Sequence, residues 1–478
     1  MNTVTVADTV SAAVLAEGSL LPSGAHRRSI LRRTTDQALQ YNGEMPIAVK
    51  EKGAPRWFGA DLGSESRWII CWLLFFVTSI NYLDRQVFGI LIPDLQQRMH
   101  ISELAYGRLV MSFQLSYALM MIAAGKILDR IGARLGLALA VLVWSVAEIG
   151  HVLARTPMGF GLARFFLGAG EAANFPGSMK VIADLFPAHE RATATGLVNS
   201  ATAVGAIAAP IIVPLLAMRY GWQSAFLVTG AIGFVWLAAW YGLHSWWSGQ
   251  HQEYIPPRAT RNPRPVRRAS VSWRTLLAYR QFWAFAIARM LVDPIWYFYL
   301  FWLPKFLAQE HGISGTAAAP YLSAVFACSG VACIASGYVS SKFVVWKWTV
   351  NRARKTVMWS LVVLMCPTLM IADRIGNVNA MVALICLAVG AHQALSTHLY
   401  TLASDLFPSQ VTGMVVGAGS SLSALVSVVT AELIGRVLQS NPASYLVLFV
   451  TAACLYPAAM FVIQALSPRL AAAKIEEW

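Results

Sequence analysis

Ala183-Asp184-Leu185-Phe186-Pro187 returns 221 residues later as Ser404-Asp405-Leu406-Phe407-Pro408. Each copy closes the fourth of six long apolar segments, so the chain reads as two copies of one six-segment unit. The segments run at about 68–92, 106–127, 135–154, 157–181, 192–217 and 222–246, then at about 282–307, 320–341, 355–373, 378–402, 412–437 and 443–466. Runs of this length match a hydrocarbon core about 30 Å thick. The expected fold is an all-α membrane protein, with twelve transmembrane helices in two pseudo-symmetric six-helix bundles related by an axis along the membrane normal.

Composition agrees. The 478 residues are 57% hydrophobic and 13% charged, with a mean hydropathy of +0.56. A net charge of +14 in a soluble protein would point to nucleic acid, but its placement gives another account. With the N-terminus inside, 27 of the 37 lysines and arginines fall in inner segments and seven in outer ones. The positive-inside rule then predicts a multi-pass protein of the cell (inner) membrane with both termini cytoplasmic, its partners being lipid and a small solute rather than nucleic acid. The expected organisation is a disordered cytoplasmic tail (1–66), an N-terminal bundle (67–246), a Pro- and Arg-rich cytoplasmic linker (247–281), a C-terminal bundle (282–468) and a short tail (469–478). The apolar run near Val10–Leu21 is too short to span and lacks a basic leader, which argues against a signal peptide; a start codon placed upstream of the true one is the alternative for the tail.

Enzymatic chemistry finds no foothold. The six cysteines fall within predicted helices without a CxxC, and no histidines stand at metal-ligand spacing. With no HExxH, P-loop or nucleotide fingerprint, no metal or cofactor is expected, and neither metal-assisted hydrolysis nor ATP drive.

Six ionisable residues stand out inside the apolar segments: Asp84, Arg85, Arg164, Glu171, Arg289 and Asp293. Each costs about 2.5–3.5 kcal/mol at a bilayer centre unless paired or wetted. The repeat offset carries Glu171 onto His392, each 13 residues before its aspartate, so the two are expected to face one another across a central cavity. Aligning Pro93 with Pro304 sets Asp293 opposite Tyr82. Arg289 and Asp293, four apart, share one helical face, whereas Arg164 and Glu171 lie two turns apart, about 10.5 Å along the axis. Asp84 and Arg85 point about 100° apart and need different partners. Pro176 and Pro294 follow the acids closely and are expected to free backbone carbonyls near the cavity. Glu148, His151 and Glu432 lie towards outer ends and call for no function.

These residues resemble the anion:cation symporter branch of the major facilitator superfamily, and within it the hexuronate transporters. Gly125-Lys-Ile-Leu-Asp129-Arg130-Ile-Gly132-Ala-Arg134 is similar to the superfamily signature between helices two and three; the second-half counterpart from Gly337 is degraded, with Ser341 in place of an acid. The branch resemblance rests on Asn81-Tyr-Leu-Asp84-Arg85, Arg164-Phe-Phe-Leu-Gly-Ala-Gly-Glu171-Ala-Ala-Asn-Phe-Pro176, Arg280-Gln-Phe-Trp283, Ala288-Arg289-Met-Leu-Val-Asp293-Pro294-Ile-Trp296 and Ala391-His392-Gln393-Ala394-Leu395-Ser396. It covers about Trp68 to Pro468 and implies alternating access, with proton movement driving uptake.

The resemblance implies proton coupling at Asp84 and Glu171. It implies anion binding, or support of those acids, at Arg85 and Arg164, and a substrate-facing Tyr117. Tyr82, Arg289, Asp293, His392, Gln393 and Ser396 complete the expected substrate site. Asp129 and Arg130 are expected to brace an inner gate. Thr202 stands where sugar-acid relatives often carry Gln, which leaves uronate against aldonate open. The expected function is a monomeric, proton-coupled symporter importing a sugar-acid anion, foremost a hexuronate. The alternatives are a symporter for an aldonate, aldarate or aromatic acid, a proton-driven efflux carrier, and a receptor that kept a transporter shell.

Overall fold

The computed structural model describes residues 64–99, 103–250, 272–313, 317–372, 377–440, 445–470 and 472–473. Nearly all of the expected tail 1–66, most of the linker 247–281 and the end of the tail 469–478 lie outside the described residues.

The first half contains α1 (Ser64–Met99), α2 (Glu103–Ile131), α3 (Ala133–Gly150, continued by a 3₁₀ turn at His151–Leu153), α4 (Pro157–Glu171), α5 (Asn174–Leu185), α6 (Ala188–Tyr220) and α7 (Trp222–Gln250). The second contains the short α8 (Trp273–Ala278), then α9 (Arg280–His311), α10 (Ala319–Val345), α11 (Val350–Ala372), α12 (Val378–Leu406), α13 (Ser409–Ser440) and α14 (Tyr445–Leu466). Nine helices among the described residues are long and apolar enough to cross a membrane on that basis alone. Of the remaining expected segments, the fourth falls on α4 and α5 together, the seventh on α9 and the ninth on α11. Helix surfaces confirm the solvent: Met111, Leu115 and Leu119 recur every four residues on α2 as an exposed stripe, as a lipid-facing side requires.

The breaks follow from local chemistry. Phe186 and Phe407, each before a proline, adopt extended backbone and end α5 and α12 at matching points of the repeat. Gly132, at φ 90°, makes the tight corner between α2 and α3 in a conformation that favours glycine. The single helix expected over 157–181 is two: Pro176 has no N–H for the carbonyl of Ala172 and crowds it, so the helix parts at Ala172–Ala173 and leaves Glu171 as the last residue of α4. Pro294 does not end α9, which runs on to His311.

The halves meet along two pairs of helices, α2 with α13 and α6 with α10, each the image of the other on exchange of the halves. Glycines allow both contacts. A Cβ on Gly125 would stand 2.3 Å from the Gly413 carbonyl oxygen, and one on Gly337 would stand 2.3 Å from that of Ala192.

Candidate functional site

Between the halves lies a cavity of about 60 Å³, walled by α1, α2, α5 and α6 on one side and α9, α12 and α13 on the other. Its wall includes Tyr82, Arg85, Tyr117, Arg289, Asp293, His392, Gln393 and Ser396, eight residues singled out in the sequence. Asp84, Arg164 and Glu171 do not line it.

On the first-half wall, Arg85 reaches the cavity with its guanidinium held from behind. Nε and Nη2 donate to one oxygen of Glu171 at 3.1 and 2.9 Å, and Nη2 also donates to Asn81 at 3.3 Å. Its face is covered by the rings of Tyr117 and Tyr82, at 4.6 and 4.9 Å. Glu171 is fully buried, so the expected confrontation of Glu171 with His392 across the cavity does not occur: Arg85 stands on the wall in front of it. Arg164 acts on Glu171 only at a distance, with no hydrogen bond between them. Two helical turns separate them, and the Arg164 guanidinium instead lies over Phe113 and Phe88, at 4.5 and 4.9 Å, with Nε and Nη1 making no hydrogen bond. Asp84 turns away from Arg85 into the bundle, fully buried, neither carboxylate oxygen finding a hydrogen-bond partner.

Glu148 and His151, set aside in the sequence for their place near helix ends, are also fully buried in this bundle. Packing by α4 and α7 closes over that end of α3 and the turn that follows it. The side chain of Glu432 lies outside the described residues.

On the second-half wall, Arg289 and Asp293 form the expected i,i+4 ion pair at 2.7 Å. Arg289 also donates to Tyr400 at 2.8 Å and Ser396 at 3.3 Å, while Ser423 donates to Asp293. The His392 ring lies parallel to Trp296, 6.0 Å away, and its Nδ1 is 3.0 Å from the Tyr456 hydroxyl. A polar seam joins the halves beside the cavity: Gln393 donates to Thr202 at 3.4 Å and Asn199 to Thr397 at 3.1 Å. Phe175 stacks on Tyr400 across the same seam, 4.8 Å apart. Tyr400, Asn199, Phe175, Ser420 and Ser423 also reach the wall, and sequence reasoning missed them. Tyr400 had a signal, since it follows His392 by eight residues and Ser396 by four, on one helical face; Ser420 and Ser423 had no singled-out residue at helical spacing to mark them.

One end of the cavity is shut by latches between the halves. Asp129 accepts from the backbone N–H of Gly413 and Met414, at 3.3 and 2.7 Å, in the first turns of α13, where a carboxylate complements the helix dipole. Lys180 pairs with Asp129 at 3.0 Å and donates to the Ser409 carbonyl at 2.6 Å. The mirror latch uses Arg191, which donates to the Ser404 carbonyl at 2.7 Å, and Arg354, which donates to Asp405 at 3.0 Å and to the Ala188 carbonyl at 2.7 Å. Asp129 thus bridges the halves. Arg130 is exposed beside it.

The profile of the Major Facilitator Superfamily matches residues 74–431. The chain is 31% identical over 384 residues to the hexuronate transporter of Escherichia coli (strain K12), covering 77% of this chain and 88% of that one. It is also 31% identical over 285 residues to the galacturonate transporter of Dickeya chrysanthemi, covering 58% and 82%. Among solved structures it is similar in fold to the proton:xylose symporter XylE, with a TM-score of 0.66 at 14% identity over 84% of this chain and 95% of that one.

Proposed function

This chain belongs to the Major Facilitator Superfamily, and we propose that within it the protein is a proton-coupled symporter importing a sugar-acid anion, a hexuronate such as galacturonate or glucuronate, by alternating access. It is a multi-pass membrane transporter, not an enzyme. The positive-inside distribution supports a cytoplasmic-membrane location with both termini inside and the latched end cytoplasmic.

The observation that carries the reading is the position of Arg85, one guanidinium between a buried carboxylate and a cavity. While Glu171 is ionised it holds Nε and Nη2. A proton on Glu171 removes the counter-charge, and a buried arginine without one is costly, so the guanidinium turns to the next carboxylate available, that of the substrate. Its planar fork suits a carboxylate bidentately. Anion and proton then load together, since either alone leaves a net charge in a dry site. Asp84, unpartnered in the same bundle, is the second acid of the coupling pair.

Opposite Arg85, the neutral pair Arg289–Asp293 offers polar contact without adding charge. Asn199, Gln393 and Ser396 suit sugar hydroxyls, and Trp296 offers a face for a pyranose ring. A cavity of about 60 Å³ is far below the ~300 Å³ at which ligand pockets begin, so entry needs the halves to part at the end away from the latches. Purified protein in liposomes tests the reading. Labelled galacturonate should accumulate under an inward proton gradient and stop when a protonophore collapses it; uptake indifferent to the gradient refutes the coupling.

A further inference from the structure

The acids that the transport reading uses, Asp84 and Glu171, do not exhaust the buried carboxyls of the first half. Glu148, in the last turn of α3, is fully buried, as are Thr229 on α7, Asp84 on α1 and His151 just past α3. Its charged neighbours are Asp84, Arg164 and Glu171, and no arginine or lysine among the described residues closes an ion pair with it. Oε1 accepts from the Thr229 hydroxyl at 3.3 Å, while Oε2 has no hydrogen-bond partner. His151 Nδ1 is 3.8 Å from Oε2 but lies nearer the carbonyls of Ala147 and Glu148, at 3.0 and 3.2 Å, which take its hydrogen. Asp84 also approaches the Thr229 hydroxyl, though not closely enough to give either of its oxygens a hydrogen bond. Arg164, 5% exposed, faces the cluster from α4 with Nε and Nη1 unpartnered, and Tyr106 faces Arg164 from α2.

This arrangement has a place for a proton. A threonine hydroxyl has one hydrogen to give and lone pairs to accept. When it donates to Glu148, as here, its lone pairs can take a hydrogen from a protonated Asp84; when it donates to Asp84, they can take one from a protonated Glu148. The two arrangements interconvert as Glu148 gives its proton to Oγ1 while Oγ1 gives its own to Asp84. Charge is conserved and the threonine ends unchanged. The count of charges agrees. Among the described residues, the arginines and lysines facing Asp84, Glu148 and Glu171 are Arg85 and Arg164, so one resident proton makes this set of carboxylates and guanidiniums neutral, and an arriving monoanion calls for a second.

We propose that Glu148 is a proton-carrying residue of the transport cycle, exchanging a proton with Asp84 through the Thr229 hydroxyl, inside the first half and off the substrate path. The proposal rests on the symport reading, and its test separates the two. In proteoliposomes, wild type, Glu148→Gln, Thr229→Val and Thr229→Ser are compared for galacturonate accumulation under an imposed proton gradient and for counterflow, in which substrate exchanges without net proton movement. Gln and Val keep the size of the side chains they replace but cannot relay a proton. Accumulation should fall about tenfold or more in both, with counterflow within about threefold of wild type, and Ser should restore accumulation. If wild type itself ignores the gradient, the symport reading falls and takes this proposal with it. If wild type is driven and both variants are driven equally, only this proposal falls. It also falls if Glu148→Gln loses both activities at normal membrane levels while Thr229→Val keeps its driven uptake, since Glu148 then only packs the bundle.

Discussion

Replacing Gly125 with alanine should unlatch one end of the protein without harming its fold. The new methyl would lie 2.3 Å from the Gly413 carbonyl oxygen, 2.8 Å from its carbon and 2.9 Å from the Met414 Cα. All three are backbone atoms of the other half, so no side chain can swing aside. Restoring ordinary contact requires α2 and α13 to part by about 1 Å, and overpacking of this kind costs about 1–3 kcal/mol. The same movement stretches the bonds from Asp129 to Met414 and Gly413 and from Lys180 to Ser409. Charge-assisted bonds are worth about 1.5–3 kcal/mol each, and weakening one brings the total to about 2–4 kcal/mol against the latched state. At 1.4 kcal/mol per tenfold, the latched population falls by a factor of about 30 to several hundred relative to the parted one. Helix propensity acts the other way, since alanine is better than glycine inside a helix by about 1 kcal/mol, so thermal stability should hold. Spin labels at the exposed Lys126 and Gln410, in a background without the six native cysteines, read the separation at this end. The variant should shift the distance distribution outward and slow uptake. A wild-type distribution with wild-type uptake would refute the argument that backbone contact at Gly125 holds the halves together.

Other outcomes follow from single contacts. Glu171→Gln should abolish gradient-driven accumulation while retaining exchange, because an amide cannot release Arg85 and recapture it; accumulation and counterflow in liposomes are the measurements. Tyr400→Phe removes the hydroxyl that Arg289 donates to at 2.8 Å, and the loss of about 1–1.5 kcal/mol should raise the KM for galacturonate about five- to tenfold if it falls on the loaded state. Arg354→Ala strips a fully buried guanidinium from Asp405, Ser340 and the Ala188 carbonyl and leaves Asp405 short of its nearest counter-charge. A cost of about 3–5 kcal/mol should appear as a clear fall in melting temperature in detergent.

Much of the architecture is legible along the chain because it depends on neighbours in sequence. Hydropathy places the apolar segments to within a turn or two, and the shared Asp-Leu-Phe-Pro marks matching helix ends because proline pushes the residue before it towards extended backbone, as at Phe186 and Phe407. The residues that reach the cavity wall were legible where spacing put them on a marked face, as with Arg289 and Asp293 or His392, Gln393 and Ser396. Two features escaped the sequence for one reason. Glu171 was placed on the cavity and is buried behind Arg85, and the burial of Glu148 and His151 went unseen. Each depends on how a helix is rotated about its axis and on what another helix lays over it.

The sequence by itself determined that this is an internally repeated, all-helical multi-pass membrane protein carrying arginines and acids within its apolar segments, because transfer energies and helical periodicity are properties of residues and short intervals. Only the tertiary structure decided which charge meets which: Arg85 with Glu171, Asp129 with the start of α13, Glu148 with Thr229 beside Asp84. Those pairings join residues 81 to 285 positions apart. They are set by close packing of helices, in which a rotation of one residue turns a side chain through about 100° and exchanges a cavity for a core.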